Sequence, residues 1–296
     1  NAIIFRRSPN VIFKIATESV ESFFSIGLND KKLEENDDYV LIDFGSLHLL
    51  NKDEDNSKII SAILNKRINR DIRLSGKELE LSKLLGDSPE FVDFAQQLRD
   101  APKKTVYYRG YTFLCAMWSC DIREIIRLFA SMIDLTDISS LTKENPTIPP
   151  EIQDKAMRDA GGKYIALLGA ATHPGLNTYE MEIPQEKYKS YGTHLKQIAE
   201  AFHQIASDEL KRDIKNEETQ VPKQARRIEI TESCSELPDD IKDFYKGIIR
   251  YGLFVRDTRG KSIRGNVVPR LYLRGLLIPY FRLSFSKRDS ISMGKD

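Results

Sequence analysis

A mixed α/β, predominantly helical fold is what this sequence predicts, on three observations. Near the start, two apolar and β-branched runs at residues 11–17 and 38–44 are bounded by polar turn residues, as buried strands of an α/β sheet are. From residue 51 to residue 214, apolar side chains recur at helical spacing in one segment after another. The last quarter alternates a helix with strand-like runs around a basic, glycine-punctuated turn.

Composition narrows the class. With 41% hydrophobic and 30% charged residues the chain reads as soluble and globular rather than disordered, and 296 residues allow two or three domains. Cys115, Cys120 and Cys234 form no C-x-x-C pair and the four histidines are not at zinc spacing, so neither a disulfide framework nor a structural metal is expected. A reducing cytoplasm is the expected location. No apolar run approaches the ~20 residues needed to cross a bilayer, and no membrane partner is expected. The net charge of +1 hides an asymmetry: residues 240–296 hold thirteen Lys or Arg against five Asp or Glu. That end is expected to face an anionic polymer. Asn1 stands where a Met would open a gene, and residues 1–7 read as a helix end, so the chain is expected to begin inside a longer protein.

In chain order, residues 1–50 read as a helix end, a strand ending at Thr17, a charged loop and a second strand through Asp43. Residues 51–140 read as a small helical bundle. Ile59, Ile60, Ile63, Leu64 and Ile68 mark one helix, Leu79 to Leu85 a second, and Phe91, Phe94, Ala95 and Leu98 a third. Ala101-Pro102 breaks the pattern, and helices over 107–117 and 121–133 follow. In the last of these, Ser119 or Asp121 can cap the first turn. Ile122, Ile125, Ile126 and Phe129 form its apolar stripe, and Arg123 faces away from it. A proline- and threonine-rich connection at 141–150 marks a boundary. Beyond it the sequence predicts a helix over 151–170 interrupted by Gly161-Gly162, and a longer helix over 188–214. Then come a strand at 225–231, a helix at 240–251, a strand at 253–256, the basic turn at 257–265, a return strand at 266–269 and a helix over 270–278.

Helix, strand, basic hairpin and strand make the wing-bearing portion of a winged-helix domain. Arg256, Arg259, Lys261 and Arg264 suit phosphate contact, and Arg270, Arg274, Lys287 and Arg288 extend the patch. Arg270 and Arg274, four apart, would equally serve to pin their element to a carboxylate elsewhere. No contiguous G-x-x-x-x-G-K-[ST] loop occurs in the 296 residues: Gly260-Lys261-Ser262 imitates its end, with Val255 where the first glycine would stand.

Several of these segments carry a resemblance. Cys120-Asp121-Ile122-Arg123 resembles the sensor-2 motif of AAA+ ATPases, Gly-Asp-hydrophobic-Arg, with Cys120 in place of Gly. The stretches 259–262, 269–274 and 283–290 resemble the tail of bacterial AAA+ ATPases akin to origin-recognition-complex initiators. The resemblance implies the end of an AAA+ α/β core at 1–50, a helical lid at 51–140, and a helical connector with a winged-helix-like α+β domain at 141–296. It implies Arg123 as a nucleotide sensor, Thr17 at the place of sensor 1, and Arg6 or Arg7 as an arginine finger, an arginine that offsets charge in phosphoryl transfer. ATP with Mg, double-stranded DNA and a homo-oligomer or partner protein follow as expected ligands and partners. Nucleotide-governed DNA binding in phage defence or a mobile element is the expected role. The chain alone is not expected to hydrolyse ATP without a P-loop upstream. A nucleotide-independent winged-helix DNA-binding regulator and a protein-protein scaffold are the alternatives. Glu180, Glu182, Glu186 and Lys187 faintly suggest a metal-dependent nuclease.

Overall fold

The computed structural model describes residues 53–74, 77, 79–100, 106–119, 121–172, 181–183, 186–211, 225–230, 239–263, 266–285 and 289–293, together with Val40. The strand expected at 11–17 and, Val40 apart, the one at 38–44 lie outside them. The described chain is predominantly helical, with two small sheets.

Helix α1 (Asp53–Ile68) buries Ile60, Leu64 and Ile68, one turn apart. Asn65 of the same helix accepts from the Leu81 amide at 2.8 Å, seating the short α2 (Leu81–Leu85). Helix α3 (Phe91–Asp100) buries Phe94, Ala95 and Leu98. The helix expected from residue 107 begins only at α4 (Tyr111–Met117), because Gly110 has φ +94° and a Cβ there would lie 2.4 Å from Ser88 Oγ. Helix α5 (Ile122–Leu135) turns Ile125, Leu128, Phe129, Met132 and Ile133 inward, with Ile122 and Ile126 half-buried. After a 3₁₀ turn (Ile138–Ser140), Pro150 at the first position opens α6 (Pro150–Gly169). It runs unbroken through Gly161-Gly162, where an interruption was expected.

The glycines have a packing reason instead. Helix α9 (Leu277–Tyr280) crosses α6 so closely that a Cβ at Gly161 would lie 2.6 Å from Tyr280 Cβ. Two neighbouring side chains tie α6 to earlier elements. Gln153, 1% exposed, donates to the carbonyls of Leu85 and Ile148 and accepts from the Gly110 amide. Asp154 accepts from the Tyr108 amide at 3.0 Å, and its Oδ2 lies 3.3 Å from Arg158 Nη1. Burial pushes its carboxyl above the ordinary 3.8, with the Tyr108 amide and Arg158 opposing.

An antiparallel ribbon of β1 (Met181–Ile183) and β2 (Glu186–Lys189) precedes α7 (Tyr191–Lys211). Strand β3 (Ala225–Ile230), helix α8 (Asp239–Arg250), strands β4 (Phe254–Ile263) and β5 (Asn266–Leu273), and β6 (Asp289–Met293) complete the chain. The strands form one sheet in the order β4-β5-β3-β6, with β3 parallel to β6 and antiparallel to β5. Two expectations change here. The basic segment at 257–263 is strand rather than turn, and residues 270–273 continue β5 instead of starting a helix. Val267 and Val268 favour the pleat, and Arg270, Leu271 and Tyr272 each face a partner on both neighbouring strands, which no helix could offer. Pro269, which cannot donate to a ladder, sits where Asp257 pairs with Arg270 and Lys261 with Val268, so three residues of β4 bulge against it.

The core runs across the whole described chain. Phe94 meets Tyr108 and Phe113 edge-on at 4.7 and 4.8 Å, and Phe285, near the C-terminus, packs on Phe113 at 5.1 Å. Tyr108 is fully buried, and its hydroxyl donates to the Leu283 carbonyl at 2.8 Å. The same burial holds its phenol well above the ordinary range.

Candidate functional site

Two chemically distinct features stand out: an arginine on the first turn of α5 and the basic β4–β5 hairpin. Of the two caps open to α5, Asp121 takes the role. Its Oδ1 accepts from the amides of Arg123 and Glu124 at 3.0 and 3.3 Å. Ser119 is used differently, its Oγ accepting from the Gly275 amide at 2.8 Å. The Arg123 side chain is exposed and makes no hydrogen bond or ion pair with another described residue. Because Asp121 already takes two of the first-turn amides, those of Arg123 and Glu124, the guanidinium is the exposed donor that a phosphate arriving here would meet.

The hairpin is built from β4, an edge strand, and β5. Ile263 pairs with Asn266, so only Arg264 and Gly265 connect the two arms. Arg256 is exposed and pairs with Leu271, and Lys261 pairs with Val268 near the tip. Arg259 lies in the bulged stretch between them.

Arg270 and Arg274 are drawn inward. Arg270 Nε and Arg227 Nη2 lie 3.3 and 3.1 Å from the same oxygen of Glu229, which is 6% exposed. Both distances suit ion pairs, though the oxygen and Arg270 Nε are not aligned as a hydrogen bond. A carboxylate this buried requires such company, since burying a lone charge is costly. Arg274 Nη2 lies 3.2 Å from Asp121 Oδ2, Nη1 lies 3.4 Å from the Gly252 carbonyl, and Cζ sits 4.8 Å over the Tyr164 ring. For both arginines the structure realises the carboxylate-pinning alternative. The element pinned is the sheet and the turn after it, not the helix expected over 270–278.

Arg123 and Arg274 are thus brought to one place through Asp121, while Arg256, Arg259 and Lys261 are all positions of strand β4. Arg6, Arg7, Thr17, Arg264, Lys287 and Arg288 lie outside the described residues, as do the backbone of Cys120 and Glu180. Sequence reasoning missed Tyr164, Gly252 and the second role of Asp121. An acid at a helix start signals a cap, but nothing in a linear pattern marks its second oxygen as taken by a residue 153 positions away. Among the described residues no group of three His, Cys, Asp or Glu could hold a metal ion, and no helix is long and apolar enough to cross a membrane.

A mostly helical protein, closed by a small mixed sheet with a basic edge hairpin and a capped arginine-bearing helix, is the class these features define. The family model described as ORC-CDC6-like matches residues 90–293, taking in Arg123, the hairpin, Arg270 and Arg274. More than half of the chain lies within that match, and the chain belongs to the ORC-CDC6-like family, its matched part being an AAA+ initiator-like C-terminal region. No curated protein and no solved structure matches the chain.

Proposed function

We propose that this chain is the nucleotide-governed DNA-binding portion of an initiator-like AAA+ ATPase. The observation that carries the reading is the β4–β5 hairpin: a basic edge ribbon following helix α8, the order in which a winged helix presents its wing. Arg256, Arg259, Lys261 and Arg264 would neutralise backbone phosphates of a duplex and displace counterions, giving affinity without sequence readout. Arg123 is assigned to the phosphates of ATP with Mg, with Thr17 and Arg6 or Arg7 as sensor 1 and arginine finger. ATP supplies the phosphate charge that Arg123 would sense. The chain's own contribution is to hold that arginine on a capped, packed helix. The division into a core end at 1–50, a lid at 51–140 and a winged-helix-like part at 141–296 belongs to this proposal. So do a cytoplasmic setting, oligomerisation, and a role in phage defence or a mobile element.

Fluorescence anisotropy of a labelled duplex tests the reading. Affinity should fall as salt rises, and the combined variant Arg259→Gln, Lys261→Gln, Arg264→Gln should bind more weakly. If all three side chains neutralise phosphates, its slope of log K against log salt should be shallower by about 2.7, since each phosphate left to its counterions lowers the slope by about 0.9. Salt-independent binding, no binding, or an unaffected triple variant would sink the DNA reading. A wild-type affinity indifferent to ATP with Mg would leave the nucleotide-independent regulator as the better account.

A further inference from the structure

Asp121 has two carboxylate oxygens, and each holds a different part of the molecule. Oδ1 accepts from the Arg123 and Glu124 amides and so fixes the first turn of α5. Oδ2 accepts from Arg274 Nη2 at 3.2 Å and so fixes the residue that follows β5, the return arm of the hairpin. Arg274 is held on its other sides as well. Its guanidinium lies over the Tyr164 ring of α6, and its Nη1 reaches the Gly252 carbonyl in the turn that enters β4. Gly252 has φ +66°, a conformation that favours glycine, and a Cβ there would stand 2.4 Å from that nitrogen, so a side chain would push the guanidinium off its place. A parallel clamp runs beside it. The Gly275 amide donates to Ser119 Oγ, and a Cβ on Gly275 would lie 2.4 Å from the Met117 carbonyl. The backbone entering α5 and the backbone leaving β5 are therefore fastened by an ion pair, a hydrogen bond and a close main-chain approach.

The pair is shielded enough to matter. Arg274 is 13% exposed and Asp121 29%, so screening by solvent is weaker than for a surface pair. A planar guanidinium gripped by a carboxylate, a carbonyl and an aromatic face has little freedom to follow one partner without dragging the others.

We propose that Asp121 and Arg274 form a strut that couples the seat of Arg123 to the base of the β4–β5 hairpin. A ligand that shifts the first turn of α5 shifts the hairpin, and a load on the hairpin is felt at Arg123. By linkage the effect is reciprocal. The inference rests on the roles proposed above for Arg123 and the hairpin. Asp121 and Arg274 act as positioning residues and touch neither ligand. Arg274, read from sequence as a DNA contact, becomes the hairpin's anchor.

Hydrogen exchange on the full chain, with and without a saturating DNA duplex, tests the strut. The variants are Arg274→Gln, Arg274→Lys and Asp121→Asn. Asn keeps a cap oxygen while removing the charge, and Lys keeps the charge while removing the fork. Without DNA, Arg274→Gln should speed exchange of the 122–126 amides by about fivefold or more, the lower end of ordinary coupling between sites. Asp121→Asn should speed exchange in the 251–256 segment, and Arg274→Lys should fall between wild type and Arg274→Gln. With DNA, wild-type exchange at 122–126 should change, and Arg274→Gln should lose that response even at a duplex concentration that saturates the variant. Variants whose effects stay beside the substituted residue, or a duplex that binds without altering 122–126 in the wild type, overturn the proposal. Failure of the duplex to bind at all overturns the DNA reading instead, and the ligand-free comparison still decides the strut.

Discussion

Substituting alanine for Gly161 and for Gly162 should move stability in opposite directions, although the residues are neighbours on one helix. In a helix interior glycine costs about 1 kcal/mol relative to alanine, so propensity alone favours both substitutions equally. Packing separates them. A Cβ at Gly161 would lie 2.6 Å from Tyr280 Cβ and 2.8 Å from the Leu276 carbonyl. Comfortable carbon contacts begin near ~3.5 Å, so α9 would have to retreat by about 1 Å. It is poorly placed to do so, since Leu277 and Ile278 are fully buried and the Leu283 amide donates to the Ile278 carbonyl. Overpacking of this kind costs about 1–3 kcal/mol, and the upper half applies because the obstructing atoms are main chain and Cβ. Gly161→Ala should therefore lose about 1–2 kcal/mol net. At Gly162 the nearest atom is Tyr280 Cε2 at 3.4 Å, an ordinary contact with a ring that is 40% exposed and free to give. Gly162→Ala should gain up to about 1 kcal/mol. Thermal melts followed by circular dichroism should separate the two variants by about 2–5 °C, with wild type between them. If Gly161→Ala melts as high as Gly162→Ala, the close crossing of α6 and α9 is wrong.

Two further outcomes follow from the polar contacts of α6. Gln153→Leu fills a similar volume but leaves the Gly110 amide and the Leu85 and Ile148 carbonyls without their partner, and should cost about 2–4 kcal/mol in urea unfolding. Asp154 carries a pH signature. Because its folded pKa is raised, the folded chain holds the proton more tightly than the unfolded chain. Its contribution to stability therefore declines as pH climbs from the ordinary 3.8 through the raised value. Asp154→Asn removes that decline, so wild type measured against Asp154→Asn should fare better at pH 4 than at pH 7. Asp71 and Asp137, whose carboxyls are held low by hydrogen bonds from Arg73 and Ser139, titrate in the opposite sense, and they cancel in this comparison.

Local chemistry explains why some of this fold was legible. The α5 stripe could be read because its spacing is helical and its cap is one of two polar residues just ahead of it, Ser119 and Asp121. Helix α8 was legible for the same reason, its boundaries falling within a residue of the expected 240–251. What was hidden depends on partners distant in sequence. The segment 270–273 has no intrinsic reason to be strand until β3 offers Arg227, Ile228 and Glu229 opposite it. Strand β6 has a short, serine-rich pattern and is held by its parallel pairing to β3. The Gly161-Gly162 pair looked like a break because its reason is a helix more than a hundred residues later. In the candidate site, the exposed Arg123 and the basic hairpin were legible as charges in a local pattern. The inward turn of Arg270 and Arg274 was not, because Glu229 and Asp121 become their neighbours only in the fold.

The aromatic cluster around Phe113 also sets a timetable for synthesis. Phe285 packs on Phe113, and the Leu283 carbonyl receives the Tyr108 hydroxyl, so the pocket made by α3 and α4 cannot be sealed until the last turn before β6 has left the ribosome. At ribosomal speeds of about 5–20 residues per second, the intervening stretch takes roughly 10–35 s to emerge. For that interval Phe91, Phe94, Tyr108 and Phe113 stand as an unsealed aromatic nest on the nascent chain. That is a window in which a chaperone would find a natural substrate and a chain truncated before residue 283 would find no way to close.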